Sequence, residues 1–243
     1  MSLAAAAVQF DTVAQHPLGG LGLSLSGEAV VCRPSGALWV EARRALIVAD
    51  LHLEKGSFYA LRGQMLPPYD TADTLRRLAA EVAALSPDVL VFLGDSFHDR
   101  AGESRLCAAD IAVLCALAHG RDLLWVTGNH DPVGPVGLPG SAVATLALGA
   151  LALVHEPAAG PAPGEVAGHL HPCARVKARG ASVRRRCFVT DGERLILPAF
   201  GALAGGLNVR HAAFAGLMRA RPLAAVLGVG RVHAVGWGSL RDD

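Results

Sequence analysis

The chain contains three apolar runs that each end in polar residues: ALIVAD at residues 45–50, DVLVFLGD at 88–95 and DLLWVTGNHD at 122–131. Short runs rich in Val, Ile and Leu, with turn residues at their ends, predict β-strands buried on both faces. Residues 71–85 have helical spacing, and Asp70 followed by Asp73 predicts the N-cap of this helix. Residues 109–119 also have helical spacing and end before Gly120. This β-α-β-α-β order predicts a mostly parallel sheet with helices on its faces.

The second half of the chain has a different sequence pattern. After about Val143, short strand-like runs alternate with Gly and Pro, which predicts a second, more antiparallel sheet. Near the start, AVVCRPSGALWVEA (29–42) predicts a hairpin that turns at Pro34-Ser35-Gly36 and joins one of the two sheets. Because no repeat or low-complexity linker interrupts the chain, we expect a single domain over residues 1–243, with the motifs concentrated between about 45 and 172.

Composition excludes several classes of protein. The chain has 243 residues, is 52% hydrophobic and carries a formal net charge of +1. This profile is typical of a globular protein and excludes a globally basic nucleic-acid coat, so any polyanion must bind at a local site. The five cysteines include no C-x-x-C pair, which favours reduced thiols.

The sequence predicts a cytoplasmic protein without a membrane segment. The N-terminal stretch MSLAAAAVQFD lacks the basic region of a signal peptide. The long uncharged stretch from Pro132 to Val154 is interrupted by Pro and Gly, and its continuously apolar end is too short to span ~30 Å of hydrocarbon.

Polar residues collect where the predicted strands end. They form five groups: Asp50-Leu51-His52, residues 94–99 (GDSFHD), residues 128–131 (GNHD), His155, and residues 168–171 (GHLH). Ligands bind outside the carboxyl ends of strands in open α/β sheets. Carboxylate, imidazole and amide donors without thiolates favour a hard or borderline ion such as Mn²⁺, Fe²⁺ or Zn²⁺.

This ordered set resembles the calcineurin-like metallophosphoesterase family, over about half of the chain from Asp50 to His171. The resemblance implies an α/β fold, a four-layer α/β/β/α sandwich of two mixed sheets flanked by helices. It also implies two divalent ions, with manganese expected and iron or zinc as alternatives. One ion would be held by Asp50, His52, Asp95 and His171, and the other by Asp95, Asn129, His155 and His169.

Further strings resemble a narrower group, the bacterial DNA ligase-associated metallophosphoesterases, which are described as DNA damage response endonucleases. These strings are ADLHLEKGS, LPPYDTADTLRRL, GDSFHD, HEP, GHLHP and LPAFGALAGGLNV. The resemblance implies a DNA endonuclease in repair, associated with an ATP-dependent DNA ligase, a helicase and an exonuclease. The GDSFH string is also similar to that of double-strand-break repair nucleases, in which a His at the position of His98 assists the one at His130.

The expected chemistry is hydrolysis of a phosphodiester bond. Two dications about 3.5 to 4 Å apart hold phosphate oxygens and activate a bridging hydroxide for in-line attack. The neutral Asn129 preserves their attraction for an anion. His130 would donate a hydrogen bond to the developing charge or protonate the leaving oxygen. His98, Asp99 or Asp131 would interact with the His130 ring and fix its orientation.

Several assignments have plainer alternatives. His98 either assists catalysis or only hydrogen-bonds its loop. Lys55 either contacts the substrate phosphate or is a solvated surface residue. The basic run of Arg175, Lys177, Arg179, Arg184, Arg185 and Arg186 contains no acidic residue. It either binds a nucleic-acid backbone or is a solvated hairpin, since aromatic residues for base stacking are absent nearby.

Two other functions remain open at the level of sequence. The same site would serve a small-molecule phosphodiesterase or phosphomonoesterase. A catalytically silent interaction module on the same fold would instead lose metal ligands or His130, and the sequence shows neither loss.

Overall fold

The computed structural model of the chain describes residues 13–178, 180–219 and 221–243. The N-terminal stretch considered as a signal peptide falls within residues 1–12 and lies outside the described residues, as does Arg179 of the basic run. Two β-sheets pack face to face, and helices cover the outer face of the first. None of the helices in the described ranges has the length and apolar composition that crossing a membrane requires.

The first sheet has eight strands in the described part of the chain, and each lies beside its neighbour in sequence. They are β1 (Ala14–Gln15), β2 (Leu21–Leu25), β3 (Glu28–Cys32), β4 (Leu38–Val40), β5 (Ala45–Ala49), β6 (Val89–Leu93), β7 (Asp122–Val126) and β8 (Ser141–Val143). Strands β5 to β8 are parallel, which confirms the predicted alternation of strands and helices. Strands β3 and β4 form the predicted hairpin, and Gly36 turns it with a φ of 97°.

Four α-helices within the described ranges connect these strands. They are α1 (Lys55–Ala60), α2 (Asp70–Leu85), α3 (Gly102–Arg105) and α4 (Ala108–Ala118). Helix α2 buries Leu75, Leu78 and Val82 against the sheet. The predicted N-cap of this helix is wrong: Asp70 is its first residue, and the Asp70 carboxylate accepts a hydrogen bond from the Gly56 amide of α1 at 3.0 Å. Asp70 therefore ties two helices together.

The second sheet is mixed and contains nine strands in the described part of the chain. They are β9 (Leu146–Leu148), β10 (Leu151–Val154), β11 (Glu165–Ala167), β12 (Pro172–Ala178), β13 (Ala181–Thr190), β14 (Leu195–Ile196), β15 (Leu207–Asn208), β16 (Leu223–Leu227) and β17 (Val232–Gly236). Strand β10 is parallel to β11, whereas β12 pairs antiparallel with β13. The predicted second sheet is confirmed.

The core has three layers of apolar side chains. Ile47 and Leu93 of the first sheet meet Phe188 of the second in the central layer. The outer face of the second sheet is covered by short 3₁₀ helices at Ala212–Phe214 and Trp237–Ser239 and by loops, rather than by long α-helices. The predicted four-layer α/β/β/α sandwich is confirmed, with a thin fourth layer.

Candidate metal centre

All seven predicted metal ligands lie together at one edge of the sandwich. Asp50, Asp95 and Asn129 follow parallel strands of the first sheet, whose carboxyl ends share that edge. The second sheet contributes the other side: His155 follows β10, His169 lies in the loop after β11, and His171 directly precedes β12.

The first donor cluster consists of Asp50, His52 and His171. The Nε2 atom of His171 lies 3.2 Å from Asp50 Oδ1 and 3.2 Å from His52 Nε2. Burial and the neighbouring charge of His171 lower the pKa of His52 to about 2, so its imidazole is neutral and can donate a lone pair.

The second donor cluster consists of Asp95, Asn129, His155 and His169. The Asn129 Oδ1 atom lies 3.0 Å from His155 Nε2 and 3.0 Å from His169 Nδ1. His155 Nε2 also lies 3.4 Å from Asp95 Oδ2. Burial alone would raise the pKa of Asp95, but the hydrogen bond and charge of His155 outweigh burial and hold that pKa at about 2. Asp95 is therefore an anion.

The two donor clusters fit divalent metal ions. Ligands bonded at about 2.1 Å to one ion are roughly 3.0 to 3.4 Å apart, for octahedral and tetrahedral geometry respectively. The donor atoms of the second cluster that face one another are separated by 3.0 to 3.4 Å. His155 Nδ1 lies 3.3 Å from the Leu93 carbonyl, which can only accept, so Nε2 keeps its lone pair for an ion.

The backbone at the centre is unusually constrained. Five of the seven candidate ligands have left-handed φ angles between 44° and 68°, namely Asp50, His52, Asp95, His169 and His171. Non-glycine residues rarely adopt this conformation, and such residues cluster at functional sites. The loops that carry Asp95 and Asn129 also approach each other closely, because a Cβ atom at Gly128 would collide with the backbone nitrogen of Asp95. The loops thus hold the donor atoms close together.

His130 lies beside both clusters with its ring partly exposed. Its Nδ1 atom lies 2.7 Å from the carbonyl oxygen of His98, so Nδ1 donates there. Its Nε2 atom is 3.9 Å from Asp95 Oδ2 and its side chain is 39% exposed. This leaves Nε2 available to a substrate.

His98 is packed behind His130 by aromatic residues that the sequence reasoning missed. The two imidazole rings stack with centroids 5.4 Å apart, and Phe58 and Tyr59 contact the His98 ring at 4.6 and 5.7 Å. Burial lowers the pKa of His98 to about 4. The available signal was the Phe-Tyr pair on α1, shortly after Asp50-Leu51-His52.

The carboxylates of Asp99 and Asp131 do not orient His130 as predicted. Asp99 accepts a hydrogen bond from Arg105 at 2.9 Å. Asp131 accepts from the backbone amides of Ser96, Phe97 and Gly128, at 2.8, 3.1 and 3.2 Å. The His130 ring is held instead by the hydrogen bond that its Nδ1 donates to the carbonyl oxygen of His98. Asp131 fixes the two loops that carry Asp95 and Asn129.

Lys55 begins helix α1 at the rim of the centre. Burial lowers its pKa, opposed by the charge of Asp70, and its own charge helps to lower the pKa of His98. Lys55 therefore lies near the side of the site that His98 and His130 form.

The fold and the donor set together place the chain in the metallophosphatase class of folds. The chain belongs to the calcineurin-like phosphoesterase family, whose model matches residues 43–175. Members of this family are hydrolases with a binuclear metal centre, and the two donor clusters provide the side chains for one.

Two similar proteins extend this comparison. The crystal structure of the nuclease MPE of Pseudomonas putida has a TM-score of 0.64 and 28% identity, and the match covers 88% of this chain and 98% of that one. A probable cyclic nucleotide phosphodiesterase of Pseudoalteromonas sp. (strain SM9913) is 30% identical over 98 residues, which are 37% of this chain. That match spans only 32% of the length of the curated relative.

Proposed function

We propose that this protein is a two-metal-dependent phosphodiesterase that cleaves DNA as an endonuclease in DNA repair. The observation that carries the proposal is the convergence of seven donor side chains into two adjoining clusters, with an accessible His130 beside them. The similarity to a bacterial nuclease over nearly all of that protein's length supports a polynucleotide substrate.

We assign the metal ligands as the resemblance implies. Asp50, His52 and His171 would hold one ion, Asn129, His155 and His169 the other, and Asp95 both. When bound, two divalent ions stabilise charge on the phosphate and lower the pKa of an attacking water. Manganese is the metal we propose.

The protein's own side chains then act on the leaving group. The backbone carbonyl oxygen of His98 accepts a hydrogen bond from Nδ1 of His130 and so fixes the ring with Nε2 toward the substrate. A protonated Nε2 can transfer its proton to the leaving oxygen. Phe58 and Tyr59 pack on the His98 ring, which in turn stacks on the His130 ring, so we assign His98 as a positioning residue. Lys55 would add positive charge for the substrate phosphate.

A small-molecule phosphodiesterase is the second candidate. It is favoured by the matched relative, which is described as a probable cyclic nucleotide phosphodiesterase. The associations with a ligase, helicase and exonuclease, and a cytoplasmic location, stay predictions from the sequence.

The test uses metal-stripped protein reconstituted with Mn²⁺ and three substrates: closed-circular DNA, bis-p-nitrophenyl phosphate and p-nitrophenyl phosphate. We expect Mn²⁺-dependent nicking of the DNA and cleavage of the small diester, both greatly reduced in His130→Ala. Diester cleavage without nicking would favour the second candidate. Inactivity on all three substrates would contradict both and favour a silent interaction module.

A further inference from the structure

The hairpin of β12 and β13 separates the basic run onto two faces. Residues that pair directly across antiparallel strands project from the same face. Cys173 pairs with Arg186, Arg175 with Arg184, and Lys177 with Ser182. One face therefore carries Arg175, Lys177, Arg184 and Arg186, which we call the basic strip. Arg185 pairs with Ala174 and projects from the opposite face.

The basic strip lies on the face of the hairpin that looks toward the first sheet. Phe188 has the same parity as Arg184 and Arg186 along β13, and it packs in the core between the two sheets. Ala174 and Cys187 share the other face with Arg185 and pack in the outer core. Along β13 the strip changes from the half-buried Arg186 to the exposed Arg184.

The inner end of the basic strip contacts the loops of the metal centre. Arg186 donates hydrogen bonds to the carbonyl oxygens of Ala199, Ala202 and Ala204, at 3.1, 3.3 and 2.9 Å. The amide of Phe200 in this loop bonds to the Ala49 carbonyl, next to Asp50. A single loop, which contains Phe200, therefore connects the inner end of the basic strip to the strand that precedes the candidate ligand Asp50.

Arg184 is linked to a second candidate ligand. It donates to the Gly206 carbonyl at 2.6 Å, and Gly206 packs so closely on the carbonyl of His171 that a Cβ atom there would collide with it. Arg184 and Arg186, both on β13, therefore contact the loops that adjoin the candidate ligands Asp50 and His171.

The positive charges of the basic strip do not stabilise the hairpin itself. Arg175 lies directly opposite Arg184, and like charges in that position destabilise a strand pair. Arg175 donates to the Ser182 hydroxyl, which is neutral. Arg184 has one exposed ion pair, with Asp243 at 3.4 Å, and such pairs contribute little. A bound polyanion would offset this repulsion.

We propose that the basic strip binds the phosphate backbone of a DNA strand and leads it to the metal centre. The proposal rests on the proposed function, and it names the surface that distinguishes a polynucleotide from a small diester. Cys173 to Lys177 spans roughly 13 Å of strand, enough for several successive phosphates. Arg185, on the other face, takes no part.

The test compares three variants of the full-length protein that alter the same hairpin. R175Q/R184Q removes two cations from the strip, and R185Q removes one from the opposite face. Binding of a fluorescein-labelled single-stranded oligonucleotide is measured by anisotropy from low to moderate salt, with Ca²⁺ in place of Mn²⁺ to prevent cleavage. Melting temperature reports folding. K177Q/R175Q is the second strip variant, because it keeps the contact between Arg184 and Gly206.

We expect both strip variants to bind at least tenfold more weakly and the salt slope to fall by roughly 1.4, for two phosphate contacts at about 0.7 each. We expect R185Q to bind as the wild type. R175Q/R184Q loses the contact between Arg184 and Gly206 as well as the like-charge pair, so its melting temperature is compared with that of K177Q/R175Q, which keeps that contact. An unchanged slope in both strip variants, equal losses in R185Q, or no DNA binding by the wild type would overturn the proposal.

Cleavage assays separate this proposal from the proposed function. With Mn²⁺, the strip variants should lose at least tenfold more activity on DNA than on bis-p-nitrophenyl phosphate. Oligonucleotide binding through the strip without any cleavage of DNA would support the basic strip and contradict the nuclease.

Discussion

At the scale of single residues, the backbone and the donor atoms constrain one another. The amide of His169 donates to both Asp50 oxygens, at 3.2 and 3.0 Å, and the amide of His52 donates to the Asp95 carbonyl at 2.9 Å. Left-handed backbone at non-glycine residues costs on the order of 1–3 kcal/mol each. These hydrogen bonds hold that conformation, so each ligand side chain depends on the loop of another.

His130→Ala should keep both metals and lose turnover by roughly 10²- to 10⁴-fold, the usual contribution of a general acid. The reason is that His130 has an accessible Nε2 and belongs to neither of the two donor clusters that contain a carboxylate, although its ring nitrogen also lies close to those of His52 and His98. Metal content by elemental analysis and kcat on bis-p-nitrophenyl phosphate check this. His119→Ala, on an exposed histidine after α4, is the matched control. Wild-type kcat in His130→Ala would remove His130 from the mechanism.

Asp95→Ala should empty both metal positions. Its Oδ2 atom faces His155, and its Oδ1 atom accepts the His130 amide at 2.9 Å, so the variant loses both a shared ligand and the anchor of the next loop. Elemental analysis after dialysis against Mn²⁺ measures the effect. Asp88→Ala, at the other end of β6, should bind as much metal as the wild type. Retention of two ions by Asp95→Ala would contradict the bridging assignment.

At the scale of elements, Asp131 joins the loop after β6 to the loop after β7. Its carboxylate accepts three backbone hydrogen bonds, and burial raises its pKa to about 6. The desolvation that raises this pKa opposes folding, but the three amides would be left without acceptors if the carboxylate were removed.

Asp131→Ala should lower the free energy of unfolding by about 2 to 4 kcal/mol, because hydrogen bonds to charged groups contribute about 1.5–3 kcal/mol each before the desolvation is subtracted. Urea denaturation at pH 8 with EDTA measures the protein without the contribution of metal. Asp131→Asn retains one acceptor oxygen and should lose less. Unfolding curves of Asp131→Ala that match the wild type would show that the loops are held by other contacts.

The strands of the first sheet could be predicted because they depend on local pattern, whereas the ligand assignment follows from the family resemblance and stays a prediction. Apolar runs that end in Asp50, Asp95 and Asn129 define both the parallel strands and the residues at their shared edge. The partners of Asp70, Asp99 and Asp131 could not be predicted, since each carboxylate bonds to a group set by tertiary packing.

The division of the basic run between the two faces of the hairpin also could not be predicted from the sequence. Alternation assigns Arg184 and Arg185 to opposite faces, but the register that places Arg175 opposite Arg184 depends on how β12 and β13 pair in the folded chain. The aromatic packing of Phe58 and Tyr59 on His98 was missed because α1 and the loop after β6 meet only in the folded chain.

At the scale of the whole molecule, both sheets supply the metal centre. Asp50, Asp95 and Asn129 belong to the first sheet, whereas His155 and His171 belong to the second. An apolar layer also joins the sheets, with Ile47 and Phe188 among its fully buried members. We therefore propose that the chain forms one domain.

Metal removal should lower the melting temperature, but the protein should still unfold in a single thermal transition. Ions that bind only the folded state stabilise it by about 2.7 kcal/mol at a free concentration 100 times their Kd. Differential scanning calorimetry with Mn²⁺ and with EDTA should give a single peak in each, with the EDTA peak at lower temperature. Two separate peaks would contradict a single domain, and identical peaks would contradict metal binding by the folded protein.

The position of the donor clusters at the junction of the sheets has a mechanical consequence. Strands β5 and β10 each end at this edge, so a load that slides one sheet past the other acts directly on the donor atoms. Bound ions would cross-link the two sheets and raise the force needed to slide one sheet past the other. Loss of the ions would then make the molecule softer along one direction while leaving each sheet as stiff as before.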